Sequence, residues 1–252
     1  MKRVTAFIGS ARKKGTYLAV QEFEKSLKKN DDIDFDNVFL NDYHLAFCTG
    51  CKLCFDRGEQ FCPHHDDRDA LLEKMAQSDG VVFASPSYAF NVSGRMKNFI
   101  DHIAFIYHRP RFFRKTFTAI GVQFVPFGNQ VQKYLEGVGS NLGFDVLRGA
   151  TVITPEPLPQ ERLADLRAKM TKLAHRFSEK LDEESMNPPV LEIIKFRMAR
   201  SGLERSEPRL YDYDYYRAMG WFASDYYYDV HLNPAQKAIG ALADVCGRLL
   251  FK

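Results

Sequence analysis

Four of the five cysteines in this 252-residue chain fall within fifteen positions, as Cys48-x-x-Cys51-x-x-Cys54-x7-Cys62-Pro63. Two C-x-x-C steps place three thiols within a turn or two of chain, and the fourth returns from a short loop. In a reducing compartment such a cluster points to metal or redox chemistry more than to structural disulfides. A four-cysteine set of this spacing suits zinc, with His64 and His65 as spare ligands. The same thiols also suit a loop that covers a binding site and holds no metal. Spacing alone leaves these readings open.

A second chemical signal lies near the N-terminus. The apolar run Arg3–Ile8 turns directly into Gly9-Ser10-Ala11-Arg12-Lys13-Lys14-Gly15-Thr16-Tyr17 and then into a helical pattern. Such a loop aims backbone N–H groups and the positive end of a helix dipole at one spot. Ser10 and Thr16 add hydroxyl donors, and Arg12 adds a fork suited to phosphate oxygens. Neither the G-x-G-x-x-G of a dinucleotide fold nor the G-K-[ST] of a P-loop is present. The loop suits a mononucleotide phosphate; the plainer alternative is an ordinary basic strand-to-helix turn.

The third signal is Ser85-Pro86-Ser87-Tyr88-Ala89-Phe90-Asn91-Val92-Ser93-Gly94-Arg95-Met96-Lys97-Asn98-Phe99-Ile100-Asp101. Together with G-S-x-R-x-x-x-T in the first loop, it resembles the NADPH-dependent FMN reductases of the flavodoxin-like superfamily over residues 1 to about 180. The resemblance implies an α/β doubly wound parallel sheet of order 2-1-3-4-5, with FMN at the switch point between the first and third strands. It implies cofactor contacts from Ser10, Arg12, Thr16 and Tyr17, and from Pro86, Ser87, Tyr88, Phe90 and Asn91. Family members carry glycines after the fourth strand, where this chain reads Gly121-Val122-Gln123-Phe124, so Gln123 stands as the candidate there.

The cysteine loop in turn resembles the iron–sulfur flavoproteins, whose compact motif in the same connection holds a 4Fe–4S cluster. Asp66-Asp67 matches the acidic pair common in them. That resemblance makes Cys48, Cys51, Cys54 and Cys62 candidate ligands of a possible 4Fe–4S cluster. Pro63 after the last cysteine echoes cluster-binding runs, although the final spacing differs.

The elements needed to position these residues are legible as periodicity. Strands are expected over 3–8, 33–40, 81–84, 116–122 and 144–153. Helical stripes run through Ala19, Phe23 and Leu27, and through Leu71, Leu72 and Met75. Others run through Met96, Phe99, Ile100 and Ile103 after a Ser93 cap, through Val131, Leu135 and Val138, and from Leu163 to Leu181. Strand and helix alternate throughout, which means a parallel sheet with helices on both faces.

The pattern ends near Ser185, giving a flavodoxin-like domain over 1–185 and a mostly helical extension over 186–252. Seven of the twelve tyrosines lie between Tyr211 and Tyr228, too many rings to leave solvated. The extension is therefore expected to pack on a neighbouring subunit and help cover the flavin, or else to fold back on its own domain. Asn233-Pro234 opens a last helix with Ile239, Leu242, Val245 and Leu249 on one face. The basic run His108–Lys115 reads either as a contact for the 2′-phosphate of NADPH or as a solvated loop, and His102 reads as structural.

A formal charge of +3 with 27% charged residues does not suggest nucleic-acid binding. No apolar stretch approaches the ~18 residues of a membrane span, and Arg12 interrupts any signal-peptide core, so the cytoplasm is the expected location. The expected activity is NAD(P)H-dependent oxidoreduction through FMN to a small-molecule or protein electron acceptor. The alternative is an electron carrier in which a cluster relays electrons between a ferredoxin-like donor and FMN. The resemblance implies a homodimer or homotetramer.

Overall fold

The computed structural model describes residues 1–29, 31–183 and 187–250. In chain order these form β1 (Lys2–Ile8), α1 (Gly15–Leu27), β2 (Ile33–Phe39), the short α2 (Leu53–Asp56), α3 (Arg68–Ala76) and β3 (Gly80–Pro86). There follow α4 (Gly94–His102), β4 (Thr116–Gln123), α5 (Gln130–Leu142), β5 (Asp145–Val146), β6 (Ala150–Ile153) and α6 (Gln160–Asp182). Three further helices close the chain: α7 (Val190–Leu203), α8 (Tyr211–Ala218) and α9 (Pro234–Leu250).

The chain divides into two compact units. Met1–Thr49 and His64–Glu183 make the first, and Gly50–Pro63 joins Glu184–Lys252 in the second. The boundary expected at residue 185 lies outside the described residues. The segment carrying Cys51, Cys54 and Cys62 thus groups with the C-terminal helices, where sequence pattern keeps it inside the N-terminal domain. Within the second unit α2 packs on α8.

The first unit is a parallel sheet of order β2-β1-β3-β4-β5, with β6 also paired to β4. Alternation sorts its strand residues onto two helical layers. Val4, Ala6, Ile8, Val82 and Ala84 share one core with Ala19 and Phe23 of α1 and with Met170 and Phe177 of α6. Phe7, Phe83 and Phe117 point the other way, and the rings of Phe7 and Phe99 of α4 stack at 5.5 Å. Strands buried on both faces read as continuous apolar runs, which is why β1 and β3 are legible.

The last strand is interrupted. Phe117 and Ile120 of β4 face Val146 and Ala150, so three steps on one strand meet four on the other. This is a bulge. The amide of Gly149, inside it, donates to Glu136 Oε1 at 2.7 Å.

The run 108–115 is solvated only in part, at His108 and Arg114, which are exposed. Arg109 is fully buried, and the guanidinium groups of Arg109 and Arg111 lie 5.4 and 5.2 Å from the centre of the Phe105 ring. Desolvated cations over an aromatic face are held by its quadrupole, so these arginines are packing elements. His102 is structural as expected, with Nε2 2.6 Å from the Ala46 carbonyl oxygen.

The tyrosine-rich segment forms the core of the second unit. Tyr216 and Trp221 are buried, with their rings edge-to-face at 4.9 Å, and the Trp221 indole donates to the Tyr227 carbonyl at 2.9 Å. Phe196 of α7 meets Tyr226 and Tyr227 at 5.6 and 4.5 Å. Burial pushes the phenols of both tyrosines well above their ordinary pKa. Tyr216, Trp221 and Tyr226 are thus buried within the single chain, while Tyr211, Tyr213, Tyr215 and Tyr228 stay half-exposed.

Helix α9 has its Asn233 cap, for Oδ1 accepts from the Gln236 amide at 2.9 Å. Its packing face differs from the expected one. Gly240, Ala243, Asp244 and Gly247 are buried, while Leu242, Val245 and Leu249 are exposed. Small residues let α7 and α9 approach closely: a Cβ on Gly247 would lie 2.5 Å from the Met198 carbonyl oxygen.

Between these helices sits a buried ion network. Asp244 accepts from Arg197 Nη2 at 2.6 Å, from Arg200 Nη2 at 2.8 Å and from the Ser201 hydroxyl at 2.6 Å. Burial alone would raise this carboxyl, but the hydroxyl and the two guanidinium groups outweigh it and hold its pKa below the usual value. Removing one partner strands the others. Asp244→Ala should lower the unfolding free energy by about 3 kcal/mol, read in urea by the fluorescence of Trp221, the sole tryptophan. Because the folded pKa is depressed, the contribution is full above about pH 4, the unfolded value. It fades as pH falls through the folded value, so the gap between variant and wild type should narrow in acid.

Candidate active site

The carboxyl ends of β1 and β3 deliver two loops to the same place. The Gly9 amide donates to the Ala84 carbonyl at 2.8 Å, extending the β1–β3 pairing into the first loop. Ser93, the cap of α4, accepts from the Met96 amide at 3.2 Å while its hydroxyl donates to the Gly9 carbonyl at 2.6 Å. Its own amide donates to the Ser85 hydroxyl at 3.0 Å. Two serines thus bind the first loop, the end of β3 and the start of α4 into one frame.

Seven of the candidate residues line one open cleft: Ser10, Arg12, Thr16, Pro86, Ser87, Tyr88 and Gln123. A concave site with a few convergent polar groups suits a small-molecule ligand. Ser10 and Thr16 are buried, and the Ser10 hydroxyl donates to the Arg12 carbonyl at 3.0 Å, which folds the loop back on itself. No side chain caps α1, and its first turn carries no acidic residue. The first-turn N–H groups and the dipole are left to act on an anion.

Three candidates stand elsewhere. The Tyr17 ring packs 5.0 Å from Phe39 at the end of β2, outside the cleft lining. Asn91 closes a tight backbone bridge with Tyr88, through N–H···O bonds of 2.9 and 3.0 Å, and its side chain accepts from the Val92 amide. Phe90 stands exposed with its ring 5.0 Å from that of Phe127. Ala89 and Phe90 both have positive φ, 48° and 65°, a conformation L-residues rarely adopt, and one that pushes the Phe90 side chain outward. Gln123 lines the cleft, but its amide nitrogen donates to the Gly128 carbonyl at 2.8 Å and so fastens the loop after β4.

The cleft also has residues that no motif indicates. Thr154 and Glu156 follow β6 and enter the lining beside Lys14 and Gly15. The Thr154 amide donates to the Gln123 carbonyl at 2.9 Å, and a Cβ on Gly15 would lie 2.3 Å from Thr154 Oγ1. The Glu156 carboxylate receives Lys14 Nζ at 2.5 Å and lies 3.6 Å from Arg12 Nη1. The signal for these residues is positional, because the chain after a last strand emerges at the same sheet edge as the two loops.

The cysteines are distributed differently. Cys48 belongs to the first unit, where its amide donates to Asn98 Oδ1 at 3.3 Å, whereas Cys51, Cys54 and Cys62 belong to the second. Cys48 and Cys51 are exposed, Cys54 and Cys62 half-buried, and none forms a disulfide. Among the described residues no group of three or more His, Cys, Asp or Glu side chains is arranged to hold a metal ion. The donor chemistry suits a cluster or zinc, but this geometry does not gather the thiols around one point. His64, the possible spare zinc ligand, has its ring 5.6 Å from that of His102.

Strand order 2-1-3-4-5, flanking helices and a cleft at the β1/β3 switch point define a flavodoxin-like α/β protein. A solved azoreductase from Bacillus anthracis shares the fold at a TM-score of 0.55 and 14% identity, over 70% of this chain and 100% of its own. The family described as NADPH-dependent FMN reductase matches residues 2–157, and the chain belongs to that family. An iron-sulfur flavoprotein of Archaeoglobus fulgidus is 36% identical over 110 residues, 43% of this chain and 48% of its own. An FMN-dependent NADH:quinone oxidoreductase of Metamycoplasma arthritidis is 27% identical over 192 residues, 65% of this chain and 92% of its own. The chain spans about half the length of the first curated relatives it matches.

Of the parts of a bound flavin nucleotide, Arg12 should meet the phosphate and not the ring. Arg12→Ala should weaken FMN binding ten- to hundredfold, about 1.5–3 kcal/mol for a charge-assisted hydrogen bond. Riboflavin, which lacks the phosphate, should bind the variant and the wild type alike. Equal losses for the two ligands in a titration would show that the phosphate does not meet this loop.

Proposed function

We propose that the protein is an FMN-dependent NAD(P)H oxidoreductase that passes electrons from reduced nicotinamide, via FMN, to a quinone, a flavin or another small acceptor. The observation that carries this reading is the convergence of the Gly9–Thr16 and Pro86–Tyr88 loops in one cleft, fixed by Ser93. In this reading the α1 N-terminus, Ser10, Thr16 and Arg12 hold the phosphate. Backbone of Pro86–Tyr88 lies against the isoalloxazine edge, and the exposed rings of Phe90 and Phe127 rim the face an acceptor approaches. FMN bound there supplies both hydride and single-electron chemistry, while the protein supplies orientation and a defined approach. The names of the quinone oxidoreductase and azoreductase relatives agree with a small planar acceptor.

The test is anaerobic. The purified protein should carry FMN, NADH or NADPH should bleach its flavin absorbance, and a quinone should restore it. Flavin that stays oxidised with both nicotinamides would overturn the enzyme reading.

A second reading has its own observation, the C-x-x-C-x-x-C…C spacing in a chain that is similar to proteins named iron-sulfur flavoproteins. Under it, a 4Fe–4S cluster on Cys48, Cys51, Cys54 and Cys62 relays electrons between a ferredoxin-like donor and FMN. Such a cluster would form only after metal-driven gathering of the thiols. Iron and sulfide analysis of anaerobic protein should then find a cluster, and replacing any one cysteine by Ser should remove most iron while leaving FMN bound. Wild-type protein with one zinc per chain and no iron would reject it.

A further inference from the structure

Two cations of the phosphate loop, Arg12 and Lys14, already have an anion. The Glu156 carboxylate lies between them, 2.5 Å from Lys14 Nζ and 3.6 Å from Arg12 Nη1, and all three side chains line the cleft. Glu156 follows β6 and reaches the loop from a part of the chain far away in sequence. Its pKa lies below the usual value, first because of the Lys14 hydrogen bond, so it is charged across the physiological range. All three side chains are about half exposed, which leaves them room to rearrange.

A phosphate at this loop meets a like charge. Attraction to Arg12 and Lys14 and repulsion from Glu156 act over the same few ångströms. The phosphate draws the full benefit of the two cations only when the carboxylate gives up its place. A ligand without a phosphate makes no such demand, because the Glu156 pairs remain intact beneath it.

We propose that Glu156 is a resident, displaceable anion of the phosphate loop that competes with the phosphate of FMN for Arg12 and Lys14 and so sets how firmly the nucleotide is held. The proposal rests on the FMN reading of the cleft and adds a residue that acts against the ligand. It makes flavin affinity adjustable at a position outside the loop itself, and favours a flavin that exchanges over one that is permanently lodged.

The experiment compares flavin-free wild type, Glu156→Gln and Glu156→Asp in titrations with FMN, riboflavin and inorganic phosphate. Glu156→Gln removes the charge and keeps the shape. It should tighten FMN and inorganic phosphate by about tenfold, the scale of one like charge beside a phosphate dianion in a solvated site. Riboflavin affinity should be unchanged, and Glu156→Asp, which keeps the charge, should stay near wild type for all three. FMN binding that is unchanged or weaker in Glu156→Gln, while wild type binds FMN normally, overturns the proposal. A wild type that binds neither FMN nor phosphate overturns the FMN reading itself, and this inference with it.

Discussion

A parallel sheet ends in backbone that has no further strand to pair with, and the orphan groups at its carboxyl edge must be satisfied by something. Here the Ser93 hydroxyl does this for the two loops that matter, donating to Gly9 while accepting from the α4 amide of Met96. Without that bond the first loop and the start of α4 would be joined indirectly, each through its own tie to β3. With it, Ser10 and Thr16 face Pro86–Tyr88 across a cleft of defined width. Ser85 ties the same frame to β3 through the Ser93 amide. The site is therefore held by short hydroxyls at buried positions, and its longer, charged side chains stay at the mouth.

The second unit solves a different problem. Its helices α7 and α9 meet through glycine and alanine, which bury little apolar area. A carboxylate held by two guanidinium groups and a hydroxyl supplies directional contacts instead, and a cluster of tyrosines around Trp221 supplies the hydrophobic core. Gly50–Pro63 is part of this unit, so three of the four clustered cysteines sit on a segment that the C-terminal helices organise. An insertion from the connection between β2 and α3 and an extension following α6 form one compact body.

Much of the first unit was legible because its residues obey simple periods. Val81–Ala84, buried on both faces, reads as a central strand. Ser93, followed by Met96, Phe99, Ile100 and Ile103, reads as a capped amphipathic helix. What was not legible depended on side chains behaving against type. Arg109 reads as solvated because it is charged, yet it lies buried over Phe105. Leu242, Val245 and Leu249 read as a packing face, yet the small residues and Asp244 face α7 because two helix backbones come close there. Glu156 follows no motif, and its role comes from sheet topology, which returns the end of β6 to the phosphate loop. The cysteine segment has the spacing of a ligand set, but three-dimensional contacts divide it between two units.

On the proposed reading the loop between β1 and α1 holds the phosphate of FMN while the loop after β3 meets its ring. Amide chemical shifts in 15N-labelled protein test this most directly, with FMN and riboflavin added in turn. The account predicts that Gly15, Thr16 and Tyr17 amides move with FMN and stay in place with riboflavin, while those of Ser87 and Tyr88 move with both. First-turn amides of α1 that ignore FMN, or respond equally to the two flavins, would contradict it.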